Sequence, residues 1–143
     1  MLPAMFSARL LSCIALALTL VSCGGGGDGP DPGAVTFAFR VRGVPVSEEF
    51  RVSTADPAFI TQARSQLLLP ESERKRFVSG SIQLGNGGHN LAWNWHFTDA
   101  QLVDAAIELC DGRPSMVQAD LDYWLGVVKR FCPWGSYVYA EVQ

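Results

Sequence analysis

The chain has 143 residues, 48% of them hydrophobic, with four cysteines, four tryptophans and two histidines. That length favours a single domain. Eleven Lys and Arg against fourteen Asp and Glu give a net charge of −3, with no basic stripe, so nucleic acid is not an expected partner.

The first 22 residues hold part of the apolar content, so the bulk composition overstates the core. Arg9 supplies a positive start, and Leu10 to Val21 is an apolar run too short to span a bilayer. It ends in Leu20-Val21-Ser22-Cys23. These four residues resemble the lipobox of bacterial lipoproteins, in which the cysteine is acylated and becomes the first mature residue. The resemblance implies a signal peptide over 1–22 and a lipid anchor at Cys23. It places the mature chain in the bacterial cell envelope, facing the periplasm or exterior. Gly24 at the following position favours the outer membrane where there are two. Residues 23–33, glycine-rich from Gly24 to Gly33, form a tether with a reach of roughly 17 Å. No Lys-Ser/Thr follows them, so they are not a phosphate loop.

The cysteines then sort themselves. Cys13 leaves with the leader and Cys23 carries lipid. Cys110 and Cys132 remain as an even pair in an oxidising compartment, where a disulfide is the expected state.

The domain proper runs from 34 to 143. Val35 to Arg42 alternates and predicts a strand with Val35, Phe37, Phe39 and Val41 on its buried face. Phe50 to Ser53 is a second short strand, or the first resumed after a loop. Asp56-Pro57 opens a helix with Asp56 as cap and Phe59, Ile60, Ala63 and Leu67 as its apolar stripe, ending before Pro70. Glu71 to Arg76 reads as a charged, solvated turn. Phe77 to Leu84 is a strand in which Gly80 accommodates close approach of another segment.

Leu91, Trp93, Trp95 and Phe97 share one parity and predict a strand with an aromatic core face. Val103, Ala105, Ile107 and Leu109 form the next alternating set. Pairing the two as a hairpin sets His96 beside Asp104 and Glu108. A helix starts near Pro114 or Ser115, with Ser115 and Gln118 at capping-box spacing. Val117, Leu121, Trp124, Leu125 and Val128 make its stripe, with Gly126 allowing close packing. Ser136 to Val142 is a final strand. The expected fold is α+β: an antiparallel sheet of about five strands with two helices packed on it and one disulfide.

Several segments together resemble a known family. They are Asp56-Pro57-Ala58-Phe59-Ile60 with Ala63-Arg64, Asn90 with Trp93, Trp95 and His96, Glu108-Leu109-Cys110-Asp111-Gly112-Arg113-Pro114, Asp122-Tyr123-Trp124-Leu125 and Phe131-Cys132-Pro133-Trp134. The family is the small secreted bacterial proteins labelled calmodulin-binding-protein-like. Its domain also resembles the N-terminal part of a larger eukaryotic protein. The resemblance spans about residues 35 to 142 and transfers no catalytic or ligand residues. The chain lacks the EF-hand loop pattern, so it does not itself read as a calcium sensor.

No catalytic motif stands out, and no cofactor or metal is expected. His89, His96, Cys110 and Cys132 are zinc ligands by type, but their spacing fits no finger and the compartment oxidises the thiols. His96 and Glu108 form a His–carboxylate pair of the kind that serves as general base or as a buried structural bond. Asp111, Arg113 and Trp134, gathered at one end by the disulfide, offer an anion, a cation and an aromatic ring for recognition. The leading expectation is a non-catalytic, lipid-anchored envelope domain that binds a protein, peptide or glycan. The rivals are a peptidase inhibitor and a small envelope hydrolase using His96 and Glu108.

Overall fold

The computed structural model describes residues 31–107 and 109–143. The signal peptide expected over 1–22 and Cys23 lie outside the described residues, as does Glu108.

The expected α+β antiparallel architecture is present. β1 (Val35–Val41) lies between β2 (Phe50–Thr54) and β7 (Ser136–Val142) in one sheet. In a second sheet β3 (Phe77–Leu84) pairs with β4 (Trp95–Phe97), β5 (Gln101–Val103) and β6 (Arg130–Phe131). The strands number seven among the described residues and divide between these two sheets. Phe50–Thr54 is a strand of its own, paired with β1 from Val35↔Thr54 to Phe39↔Phe50.

The helix α1 (Pro57–Leu67) begins as its sequence dictates. Pro57 takes the first helical position and the Asp56 carboxylate accepts from the Ala58 N–H at 2.9 Å. It buries Phe59 and Ala63 against the first sheet, where Phe59 meets Phe37 at a ring separation of 5.9 Å. Phe50 joins the two sheets. Its ring stacks on Phe39 at 5.5 Å and touches Trp95, Phe97 and Phe131 of the second sheet at 5.9, 5.9 and 6.1 Å. Each buried side chain of this size contributes about 1.5–3 kcal/mol, and each aromatic pair about 0.5–1.5 kcal/mol more.

Three sequence expectations are corrected here. First, Trp95–Phe97 does not pair with the 103–109 segment. It pairs with β3, Ile82↔Phe97 to Leu84↔Trp95, and β5 pairs with β3 as well, Phe77↔Val103 to Ser79↔Gln101. The two registers differ by one residue. At that slip Ser81 donates from N and Oγ to the Asp99 carboxylate, and a Cβ on Gly80 would meet the Ala100 Cα at 2.9 Å. Gly80 is therefore where another segment closes on β3. Beyond Val103 the chain leaves the sheet, so the alternation of Ala105, Ile107 and Leu109 marks no buried face; Ile107 is 101% and Leu109 98% exposed.

Second, the helix after Pro114 is broken. α2 (Pro114–Ala119) is followed by α3 (Leu121–Tyr123) and a π turn at Trp124–Val128. Lys129, left-handed at φ 64°, closes that turn by donating to the Trp124 carbonyl at 2.7 Å. Ser115 and Gln118 do not form a capping box. The Ser115 N–H donates to Glu48, and Gln118 accepts from the Asn94 N–H. Gly126 packs against nothing, because a Cβ there would stand in open space.

Third, Glu71–Arg76 is not simply solvated. Arg74 donates to the carbonyls of Leu69, Val138 and Tyr139 at 3.0–3.2 Å, covering part of β7, the end strand of its sheet. Arg42 lies over the Tyr137 ring and donates to the carbonyls of Glu71 and Arg74.

Candidate functional site

Two regions gather chemistry-bearing side chains. One is the turn between β3 and β4. The other is the end of the domain that carries the disulfide.

The turn starts with three glycines at positive φ: Gly85 at 88°, Gly87 at 60° and Gly88 at 75°. Asn86 accepts from the Gly88 N–H at 2.9 Å and from the Asn90 N–H through its own carbonyl at 2.9 Å. Buried Asn90 then braces the turn. Its Oδ1 accepts from the Arg51 N–H and its Nδ2 donates to the Trp95 carbonyl, both at 2.8 Å. The indole N–H of Trp93 donates to the Glu49 carbonyl at 2.9 Å. Trp93 therefore fastens a loop rather than extending the strand, and Leu91 is exposed. Trp95 is fully buried in the core.

His96 turns toward this loop. Its Nδ1 lies 2.7 Å from the Gly85 carbonyl, and its ring stands edge-on to His89 with centroids 5.8 Å apart. The expected grouping of His96 with Asp104 is corrected, because β4 never pairs with the segment holding Asp104. Asp104 instead bonds Arg76 at 3.2 Å. The neighbour of His96 is His89, which the sequence groups only by type, with the cysteines, as a zinc set. The readable signal was two histidines seven positions apart flanking a loop opened by glycines. Burial lowers the His89 pKa; its bond to the Gly87 carbonyl opposes that, and His96 adds a further lowering.

At the other region, Cys110 and Cys132 form the expected disulfide, with Cα atoms 5.2 Å apart, reinforced by the Cys132 N–H donating to the Cys110 carbonyl at 2.8 Å. The Asp111 carboxylate accepts from the Trp134 N–H at 2.8 Å, so these two site residues do meet. Arg113 is exposed beside them, and its carbonyl accepts from Met116 and Val117 to start α2. Gly112 is held under the Trp124 ring, where a Cβ would approach to 3.1 Å. Trp134 is 49% exposed. Next to the disulfide lies a depression of about 400 Å³ lined by Leu109, Cys110, Tyr123, Val127, Val128 and Arg130. The hollow was missed in the sequence: alternation assigned Leu109 and helical spacing Val128 to buried faces, and Tyr123 and Val127 fell outside the helical stripe.

Gly135, just past Trp134, accepts from the Arg42 N–H, and Ser136 pairs with Val41, so the Trp134 corner lies at the close of β1. The start of β1, Val35, is about 20 Å from that close, the length of a seven-residue strand.

A family model, that of the BP-74 N-terminal domain, matches residues 33–143. The chain belongs to this family, and the match begins where the glycine-rich segment ends. No match was found among curated proteins or among solved structures.

Proposed function

We propose that this member of the family is a non-catalytic, lipid-anchored envelope domain that binds a partner protein through its disulfide-bearing end. The observation that carries the reading is the apolar depression beside Cys110. Leu109, Tyr123 and Val127 are all at least half exposed there and line one hollow. Large apolar side chains grouped on a surface mark an interaction site more often than scattered ones do. Trp134 and Arg113 nearby are residue types that dominate binding energy at protein interfaces.

The proposed anchor at Cys23 and its tether lead into Val35, whereas the Trp134 corner lies at the other end of β1, about one strand length further on. The resemblance to calmodulin-binding-protein-like proteins brings no ligand residues, so the partner is described by chemistry: an apolar protein surface.

The test is a pull-down from envelope extracts with residues 34–143, repeated with Leu109→Ser, Arg113→Ala and Trp134→Ala. One captured protein, lost with Leu109→Ser and weakened with the other two, is the expected result. Capture that is indifferent to all three substitutions would move the binding face elsewhere. The anchor is tested separately by incorporation of labelled fatty acid, which Cys23→Ser must abolish.

A further inference from the structure

We propose that Arg51 is the anion-binding residue of a second site, a hollow that takes a carboxylate carrying a short apolar group. The hollow shares no residue with the depression beside the disulfide and does not depend on what binds there.

Arg51 stands apart among the arginines of the domain. Arg40, Arg64 and Arg76 pair with Glu49, Glu141 and Asp104. Arg42 and Arg74 are taken up by backbone carbonyls, and Arg130 by Ser79 and Asp99. The Arg51 backbone N–H bonds Asn90, but its guanidinium has no hydrogen-bond or ion-pair partner among the described residues. Its nitrogens are not among the atoms closed off from solvent. Arg113 shares the lack of a side-chain partner but lies exposed, whereas Arg51 is part-buried. A charge drawn partly out of water without a partner loses hydration and gains nothing for it. A carboxylate supplies what is missing, because its two oxygens match the guanidinium fork.

The surroundings define the rest of the ligand. Arg51 lines a hollow of about 350 Å³ between the 3₁₀ turn Val46–Glu48 and residues 90–92. That volume falls at the small end of ligand sites. Val46, Leu91 and Ala92 line it too and are exposed, Val46 at 63% and Leu91 at 69%. One uncommitted cation beside an apolar rim favours a ligand with two ends, a carboxylate for Arg51 and a hydrocarbon for Val46 and Leu91.

Both walls of the hollow are fastened from behind. On one side the Trp93 indole donates to the Glu49 carbonyl, and the Glu48 carboxylate accepts from the Ser115 N–H, both at 2.9 Å. On the other, the Asn90 side chain joins the Arg51 N–H to the Trp95 carbonyl with two bonds of 2.8 Å. A site held in advance loses little freedom when it is filled. Glu49 is the one acid lining the hollow, and its carboxylate already receives Arg40 at 2.9 Å. Its charge is therefore answered within the fold, while that of Arg51 is not.

The experiment is a titration of the full chain with hexanoate, read by the backbone amide signals in NMR. The expected result is saturable shifts at Ser47, Arg51, Leu91 and Ala92 that follow one curve. Hexanamide keeps the hydrocarbon but not the charge, and is expected to bind about tenfold more weakly or worse. Arg51→Gln keeps the backbone N–H that Asn90 holds, and is expected to weaken hexanoate by a similar factor with circular dichroism unchanged. Leu91→Ser is expected to weaken it several-fold. A tripeptide ending in leucine, with its carboxylate free or amidated, identifies the source. Tighter binding by the free-carboxylate peptide than by hexanoate assigns the site to a chain terminus, and the reverse order assigns it to a small free acid; either order supports the proposal. Shifts that do not saturate at tens of millimolar hexanoate overturn it, as does equal binding of hexanamide or undiminished binding by Arg51→Gln. Should Arg51→Gln unfold the chain, the hexanoate and hexanamide comparison on the parent decides alone.

Discussion

Gly80 packs against Ala100 so closely that a Cβ on Gly80 would lie 2.9 Å from the Ala100 Cα and 3.0 Å from an Asp99 carboxylate oxygen. The nearest obstructing atom is backbone, so it has no rotamer through which to yield. Gly80→Ala is expected to destabilise the domain by about 1–3 kcal/mol, the usual range for overpacking a filled site. Urea unfolding measures it. A change under about 0.5 kcal/mol, the usual size of a neutral surface substitution, would show that the register slip between β4 and β5 is softer than this contact implies.

Asn90 is a second point of vulnerability. It is almost wholly buried and bonds the Arg51 N–H and the Trp95 carbonyl. Asn90→Ala strands both backbone groups. Leaving a buried group unsatisfied costs about 1–3 kcal/mol, so a loss of about 2–3 kcal/mol is expected. The same variant is expected to raise hydrogen exchange at the Arg51 amide. An unchanged exchange rate there would remove Asn90 from its bracing role.

The disulfide spans 22 positions. In the loop-entropy description a closure of this length stabilises by about 3 kcal/mol. Replacing Cys110 and Cys132 together by alanine is expected to lower stability by that order. It is also expected to loosen the Asp111–Trp134 bond, seen as a red shift in tryptophan emission. A double variant as stable as the parent would assign the corner's rigidity to packing alone.

Acid is expected to weaken the fold through His89. Its pKa is lowered in the folded state, chiefly by burial. In the unfolded chain it returns to about 6.5. Between the two values the unfolded chain binds more protons, so stability is present above pH about 6.5 and declines as pH falls through that value toward the folded one. Comparing urea midpoints about one pH unit above and one below that value checks this. His89→Gln is expected to flatten the decline; equal slopes in parent and variant would acquit His89.

Much of this fold was legible in the chain. Asp56-Pro57 marked the start of α1, alternation marked β1 and β3, Ser136 to Val142 read as the final strand, and the compartment argument paired Cys110 with Cys132. What a two-residue period cannot convey is which neighbour a strand selects. Trp95–Phe97 alternates equally well beside β3 or beside a following strand, and the decision rests on Gly80 and Asp99 making room across the register slip. The candidate site suffered from the same ambiguity. Ile107 and Leu109 alternate like a buried edge yet stand in solvent, and His96 shares a parity with Asp104 without ever lying beside it. The π turn was hidden for another reason: its apolar stripe is helical in spacing, and only the left-handed Lys129 ends it.

Arg74 shields the edge of the first sheet. A strand at the end of a sheet ordinarily leaves carbonyls free to receive the amides of a neighbouring molecule. On β7 the carbonyls of Val138 and Tyr139 already receive the Arg74 guanidinium. A neighbouring strand approaching β7 would therefore meet a charged side chain where it would otherwise find a template, and Arg74→Ala is the substitution that would uncover those two carbonyls.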